Sequence, residues 1–176
     1  MRGSIHLPFC GVTDSRLPPP GTVVRRTTAR VLPVRPDGKV LLLHGWDPLI
    51  PTRPYWFTIG GGVEACETVA QAASRELREE VALLVPAESL GEPVATNTIE
   101  YEWGGCPIIQ HQTFFAVGVE SVEVSFANQE ELELETISDH GWWHPDDLEA
   151  TGQAAHVTIP ELLRQAVSAI ELRKAS

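Results

Sequence analysis

Cations are scarce in this chain: 13 Lys+Arg stand against 24 Asp+Glu, a formal net charge of -11 over 176 residues. A field of that sign repels nucleic acid and anionic lipid, so neither is expected as a partner. Cysteine is nearly as sparse. Cys10, Cys66 and Cys106 are odd in number, far apart and form no C-x-x-C pair, which speaks against a disulfide framework and reads as reduced thiols in a cytoplasmic protein. No apolar run approaches a bilayer span, and Pro8 and Gly11 interrupt the N-terminus before a signal-peptide core could form. What is present is 43% hydrophobic and 21% charged residues, the balance of a globular protein long enough to bury a core without staples. An acidic protein that handles a phosphorylated small molecule needs a positive intermediary, and a divalent cation supplies it with the fewest residues.

Residues 1–21 lack periodicity and end in Pro18-Pro19-Pro20-Gly21, which predicts an extended or disordered arm; a single domain then fills 22–176. Val23 to Val34 and Lys39 to His44 read as a hairpin about Pro36-Asp37-Gly38. Tyr55 to Ile59 form a short strand running into Gly60-Gly61-Gly62. From Thr68 to about Leu84 a helix is expected, with Ala70, Ala73, Leu77 and Leu84 on one stripe and a capping box from Thr68 and Gln71. Further strands are expected near Val94 to Tyr101, Gln110 to Val119 and His140 to Trp143, and a second capping box at Thr158 and Glu161 opens a closing helix. The class is α/β, a mixed sheet with helices on its faces.

On the Thr68 helix, Glu76, Glu79 and Glu80 stand at i, i+3 and i+4 and project from one face within a turn. No cation lies three or four positions from Glu76, and like charges so spaced cost roughly 0.2–0.5 kcal/mol per contact. Oxygen-only ligands grouped in this way suit a hard cation such as Mg²⁺. On spacing alone, three glutamates on a solvated helix face remain the commoner arrangement. The upstream glycines shift the balance. Gly60, Gly61 and Gly62 let backbone approach a ligand and free carbonyls to face a metal or phosphate.

Gly61, five residues, Glu67, seven residues, Arg75-Glu76-Leu77, one residue, Glu79-Glu80, one residue, Ala82-Leu83 resembles the Nudix box, G-x5-E-x7-R-E-U-x-E-E-x-G-U, where U is bulky and apolar. The flanking strands and Trp142-Trp143-His144-Pro145-Asp146-Asp147-Leu148 extend the likeness to roughly residues 22–150. The resemblance implies a Nudix-type α/β/α sandwich around a mixed sheet and hydrolysis of a phosphoanhydride in a nucleoside diphosphate linked to another moiety. It implies Mg²⁺, with Mn²⁺ as the alternative ion, held by the catalytic Glu76, Glu79 and Glu80 with a Gly60 carbonyl. Glu67 and Arg75 would pair to fix the loop against the helix, with Gly61 and Gly62 supporting the site. Glu133, in the acidic run from Glu130 to Glu135, is the first choice for a distal metal ligand.

The departure is Ala82, where the pattern has Gly: either the helix runs on to Val85 before Pro86, or Ala82 accepts a left-handed conformation. Cys66, where many members have Gly, is expected as a small buried side chain. Asn97, where a Pro accompanies ADP-ribose preference, argues against that substrate. Trp46, Tyr55, Trp56 and Trp103 are offered for stacking and Arg53 for phosphate, though packing is the plainer role for each. His111 is expected to be a satisfied sheet histidine. A catalytically weak nucleotide-binding or sensing module on the same fold is the alternative function, an isomerase on that fold is a more distant one, and a homodimer stays open.

Overall fold

In a computed structural model the described residues are 19–120, 123–127 and 135–175. The strands are β1 (Val24–Val34), β2 (Val40–Gly45), β3 (Tyr55–Phe57), β4 (Ala95–Trp103), β5 (Cys106–Gly118) and β6 (Ile137–Trp143). The helices are α1 (Val69–Val81), α2 (Pro145–Thr151) and α3 (Ile159–Ala175), with one 3-10 turn at Ala87–Ser89. The sheet runs β3-β2-β1-β5-β4, with β6 pairing β2. Its centre is parallel, β1 on β5 from Val24↔Ile108 to Val34↔Gly118, and the other pairs are antiparallel. The mixed sheet with helices on both faces is therefore the α/β sandwich expected.

Both faces are covered because both carry apolar rows. On one, Ala29 and Val31 meet Ala72, Ala73, Leu77 and Val81 of α1; on the other, Leu32, Val34, Phe114 and Ala116 meet Leu162, Leu163, Ala166 and Ile170 of α3. β1 departs from the hairpin expectation. Gly38 takes φ +78 and closes the turn through its N–H to the Arg35 carbonyl at 3.0 Å, yet β1 and β2 pair only at Val34↔Val40. Their ladders are made elsewhere, because β1 is the central strand and aligns along its length with β5.

β5 starts earlier than Gln110 because Gly104 and Gly105, at φ +59 and +75, form a tight two-residue turn that pairs Trp103 with Cys106. Just before α3 the Thr158 hydroxyl meets His156 Nδ1 at 2.8 Å. Pro145 opens α2 at a helix start, where a missing N–H costs nothing. Glu133 lies outside the described residues.

α1 settles the question at Ala82. Thr68 and Gln71 close the capping box, and the helix stops at Val81 with Ala82 in the left-handed conformation, φ 58 and ψ 24. The N–H groups of Ala82 and Leu83 both turn back to the Leu77 carbonyl. Leu84 is thereby thrown out of the stripe and is 76% exposed. Cys66 is a second correction: it is exposed and also left-handed, φ 70, so the glycine of the pattern reflects backbone conformation there and not side-chain space.

Replacing Ala82 with Gly should stabilise the protein by about 0.5–1 kcal/mol, relief of left-handed strain exceeding the added chain entropy. Chemical denaturation reads this directly, and a loss of about 1 kcal/mol would mean that the helix continues through position 82.

Candidate functional site

The loop after β3 is laid against β1 by backbone bonds. Val31 N–H donates to the Ile59 carbonyl, Ala29 N–H to Gly61 and Val63 N–H to Thr27. The approach is so close that a Cβ on Gly60, at φ +125, would stand 2.1 Å from the Ala29 carbonyl oxygen. On Gly61 a Cβ would stand 2.4 Å from Glu76 Oε1, so the space for a side chain is taken by a carboxylate. Gly62 is unlike them: a Cβ there meets nothing within 4 Å.

The three glutamates of α1 are not a solvated cluster. Glu76 and Glu80 are buried, at 6% and 4% exposure, where α1 meets the loop. Glu80 Oε2 accepts the Gly60 N–H at 2.6 Å. Arg75 spends its guanidinium on the rest of the site: Nε and Nη2 grip both oxygens of Glu67 at 3.2 and 2.8 Å, and Nη2 donates to the Gly62 carbonyl at 2.8 Å. Nη1 donates to Glu76 Oε1 at 2.8 Å and Glu79 Oε2 at 2.9 Å. A cation therefore does reach Glu76, against the reading from helical spacing, because the long Arg75 side chain folds back along its own turn. Arg78 adds a contact to Glu79 at 3.2 Å.

Burial disfavours the charged form of Arg75, but its bonds to Glu67, Glu76 and Glu79 outweigh that and raise its pKa. For Glu67 burial likewise pushes upward, and the Arg75 bonds with the Glu64 N–H prevail, holding the carboxyl below its ordinary range.

A residue outside the box completes the arrangement. Arg30 of β1 donates Nη1 to the Gly60 carbonyl and, at 3.2 Å, to the Thr58 carbonyl. Burial and the nearby Arg26 charge lower its pKa, opposed by Tyr101, Glu80 and Glu76. The carbonyl expected to face a metal is thus engaged by a guanidinium. Among the described residues, no group of three or more His, Cys, Asp and Glu side chains is placed to hold an ion. Arg30 was detectable in sequence only as a charge in the middle of an otherwise apolar strand half.

The offered aromatic residues divide. Trp56 is packing, edge-on to Trp143 at 5.0 Å and tilted over His44 at 4.5 Å. Tyr55 lies edge-on to Phe57 at 5.9 Å, and burial with the Asp47 charge pushes its hydroxyl up to about 12. Arg53 is exposed on its loop. His111, also exposed, is satisfied by the Thr98 hydroxyl at 2.7 Å.

The family model described as the NUDIX domain matches residues 24–163. The chain belongs to the NUDIX family. Among solved structures, the E. coli ORF135 protein superposes at TM-score 0.55 and 24% identity, over 88% of this chain and 96% of that one. The E. coli dihydroneopterin triphosphate pyrophosphohydrolase superposes at 0.56 and 21%, over 83% and 99%. These likenesses show the fold. An octanoyltransferase of Myxococcus xanthus is 36% identical over 108 residues, which are 52% of this Nudix chain but only 28% of that protein.

Two predictions follow the geometry of the loop. Gly60→Ala should cost more than about 2 kcal/mol, since its Cβ meets backbone, whereas Gly62→Ala should stay within about 0.5 kcal/mol. Equal effects in a melting comparison would show that the loop is not held against β1 as described. Glu67 has a pKa lower in the folded than in the unfolded chain, where it is about 4.3, so its stabilisation is present above that pH and lost as pH falls through the folded value. Glu67→Gln should therefore cost about 1 kcal/mol at pH 7 and show a flatter decline of stability on the acid side than the parent. Parallel acid limbs in the two proteins would remove Glu67 from the linkage.

Proposed function

We propose that this Nudix hydrolase cleaves a phosphoanhydride in a nucleoside diphosphate linked to another moiety and requires Mg²⁺, with Mn²⁺ as substitute. The observation that carries the reading is the buried pair Glu76 and Glu80, set one turn apart against a glycine loop. Four carboxylates gather there, and Glu67, Glu76 and Glu79 share the one Arg75 guanidinium. A bulk excess of negative charge at partly desolvated positions favours a divalent cation, and the all-oxygen donor set suits a hard one.

Glu76, Glu79 and Glu80 would hold the ion after turning from the Arg75 and Gly60 N–H partners that engage them here, with the Gly60 carbonyl available once Arg30 moves from it. A bound Mg²⁺ would neutralise the diphosphate and polarise its P–O bonds. Arg75 and Glu67 fix the loop so that the carboxylates keep their places, and the Gly60 N–H orients Glu80. Glu79, with 27% of its side chain exposed, is the carboxylate of the three most open to water and would be the one to take a proton from it. Glu133 is retained as a distal ligand on its sequence position alone. The partner is a small nucleotide derivative. A sensing module with weak turnover is the second reading, and the Arg30 guanidinium on the Gly60 carbonyl favours it by occupying a ligand position with a fixed cation.

A panel of nucleoside diphosphate derivatives, assayed with and without Mg²⁺ for release of monophosphate and phosphate, tests the proposal. Turnover of at least one compound should vanish in chelator, and Glu80→Gln should lower kcat at least ~10²-fold. The variant should melt within about 1 kcal/mol of the parent in chelator, because the amide oxygen can still accept the Gly60 N–H, and should gain little from Mg²⁺. Full activity in excess chelator would end the metal-dependent reading.

A further inference from the structure

The sheet face under α3 changes character along its strands. Where α3 packs it is apolar, with Leu32, Val34, Phe114 and Ala116. Toward the glycine loop the same alternating positions become polar. The parallel register sets Arg26 beside Gln110 and Thr28 beside Gln112, and β4 adds Ile99 opposite Gln110 and Asn97 opposite Gln112. Gln110 is fully buried and Gln112 is 8% exposed. Neither stands there as a consequence of core packing, which an aliphatic residue would serve better.

A buried amide is tolerated when all of its polar groups are bonded. Gln110 is bonded at one end. Its Oε1 accepts from Arg26 Nε at 2.6 Å and from the Tyr101 hydroxyl at 3.0 Å, while Arg26 Nη2 donates to that hydroxyl at 2.9 Å. A guanidinium has no acceptor, so the atom it meets is the amide oxygen and the NH2 faces the other way. That Nε2 has no partner. Neither does Asn97 Oδ1, on the same face across one strand, nor Nε of Arg30, whose Nη1 reaches the Gly60 carbonyl. Of the five buried side-chain atoms without partners among the described residues, three stand on this polar half-face.

We propose that this half-face binds the organic end of the substrate as a nucleobase, Gln110 donating from its NH2 and Asn97 accepting through Oδ1 along one edge of the ring, with Arg30 between base and phosphate. The inference rests on the reading of the carboxylate loop as a nucleoside diphosphate site and names what selects the nucleoside. A planar heterocycle with a neighbouring acceptor and donor matches the two free amide groups. A site that leaves buried groups unpaired when the wrong ring enters discriminates strongly against it. Arg26 and Tyr101 act through Gln110 by fixing which end of its amide is presented.

The test uses AMP, GMP, CMP, UMP and ribose 5-phosphate as probes, titrated calorimetrically into the full chain in Mg²⁺. At least one nucleotide should bind at least tenfold tighter than ribose 5-phosphate. Gln110→Glu keeps the oxygen held by Arg26 and Tyr101 but replaces the NH2 by an acceptor. It should abolish that preference or transfer it to another base, and raise KM by a larger factor than it lowers kcat on any turned-over compound. Asn97→Leu, on the edge strand where folding is least at risk, should reduce the preference at least tenfold. Equal binding of all five probes, or a base preference untouched in both variants, overturns the inference. A base preference without turnover would instead spare it and refute the hydrolytic reading of the substrate, so the two failures are separable.

Discussion

The Arg75 guanidinium has five N–H donors and places them on Glu67, Glu76, Glu79 and the Gly62 carbonyl, which ties the loop, the start of the helical carboxylate row and its middle to one rigid plane. The bidentate grip on Glu67 fixes direction as well as distance, which a lysine at this position could not do. Everything else at the site presumes this anchor. Gly61 can bring its backbone against Glu76 only because the carboxylate is held there, and Gly60 can present its N–H to Glu80 only because the loop is held to β1.

Backbone strain is distributed around the same anchor. Cys66 and Ala82, just before and just after α1, both take positive φ, the only residues besides glycine to do so among those described. Strain of about 1–2 kcal/mol at each persists only where the surroundings over-determine the chain. The capping box at Thr68, the burial of Leu77 and Val81, and the Arg75 network supply that determination. The ends of the helix are fixed by what it carries, and local propensity yields to it.

How far this was legible in sequence varied with the range of the interaction. The Thr68 capping box, the Gly38 turn and the carboxylate row are set by neighbours within a few residues, and the expected elements stand close to their places. The Arg75–Glu67 pair, eight residues apart, needed the family pattern, since spacing alone does not say that a loop returns to its helix. Longer-range consequences escaped. The partner of β1 is β5, some eighty residues on, and no turn signal announces a parallel pairing. The Gly104-Gly105 turn was a local signal that could have joined β4 to β5. Burial of Glu76 and Glu80 was hidden because a helix's exposure depends on what the sheet packs against it.

Arg30 shows why charge composition and charge placement must be separated. The chain is acidic overall, yet Arg26 and Arg30 stand on one face of the central strand with Thr28 between them, and Arg30 lies within reach of the Glu76 and Glu80 charges. A polyanion approaching this protein meets repulsion at the surface, and at the junction of the glycine loop and β1 it meets guanidinium groups already oriented by backbone and amide partners. The same residues also keep the polar half of the sheet face from collapsing into an ordinary core: Arg26 holds the Gln110 amide at one end, and Arg30 holds the carbonyls of Thr58 and Gly60. Apolar burial under α3 stabilises the sheet, and its polar continuation, costly to bury, lies where a ligand can supply the missing bonds.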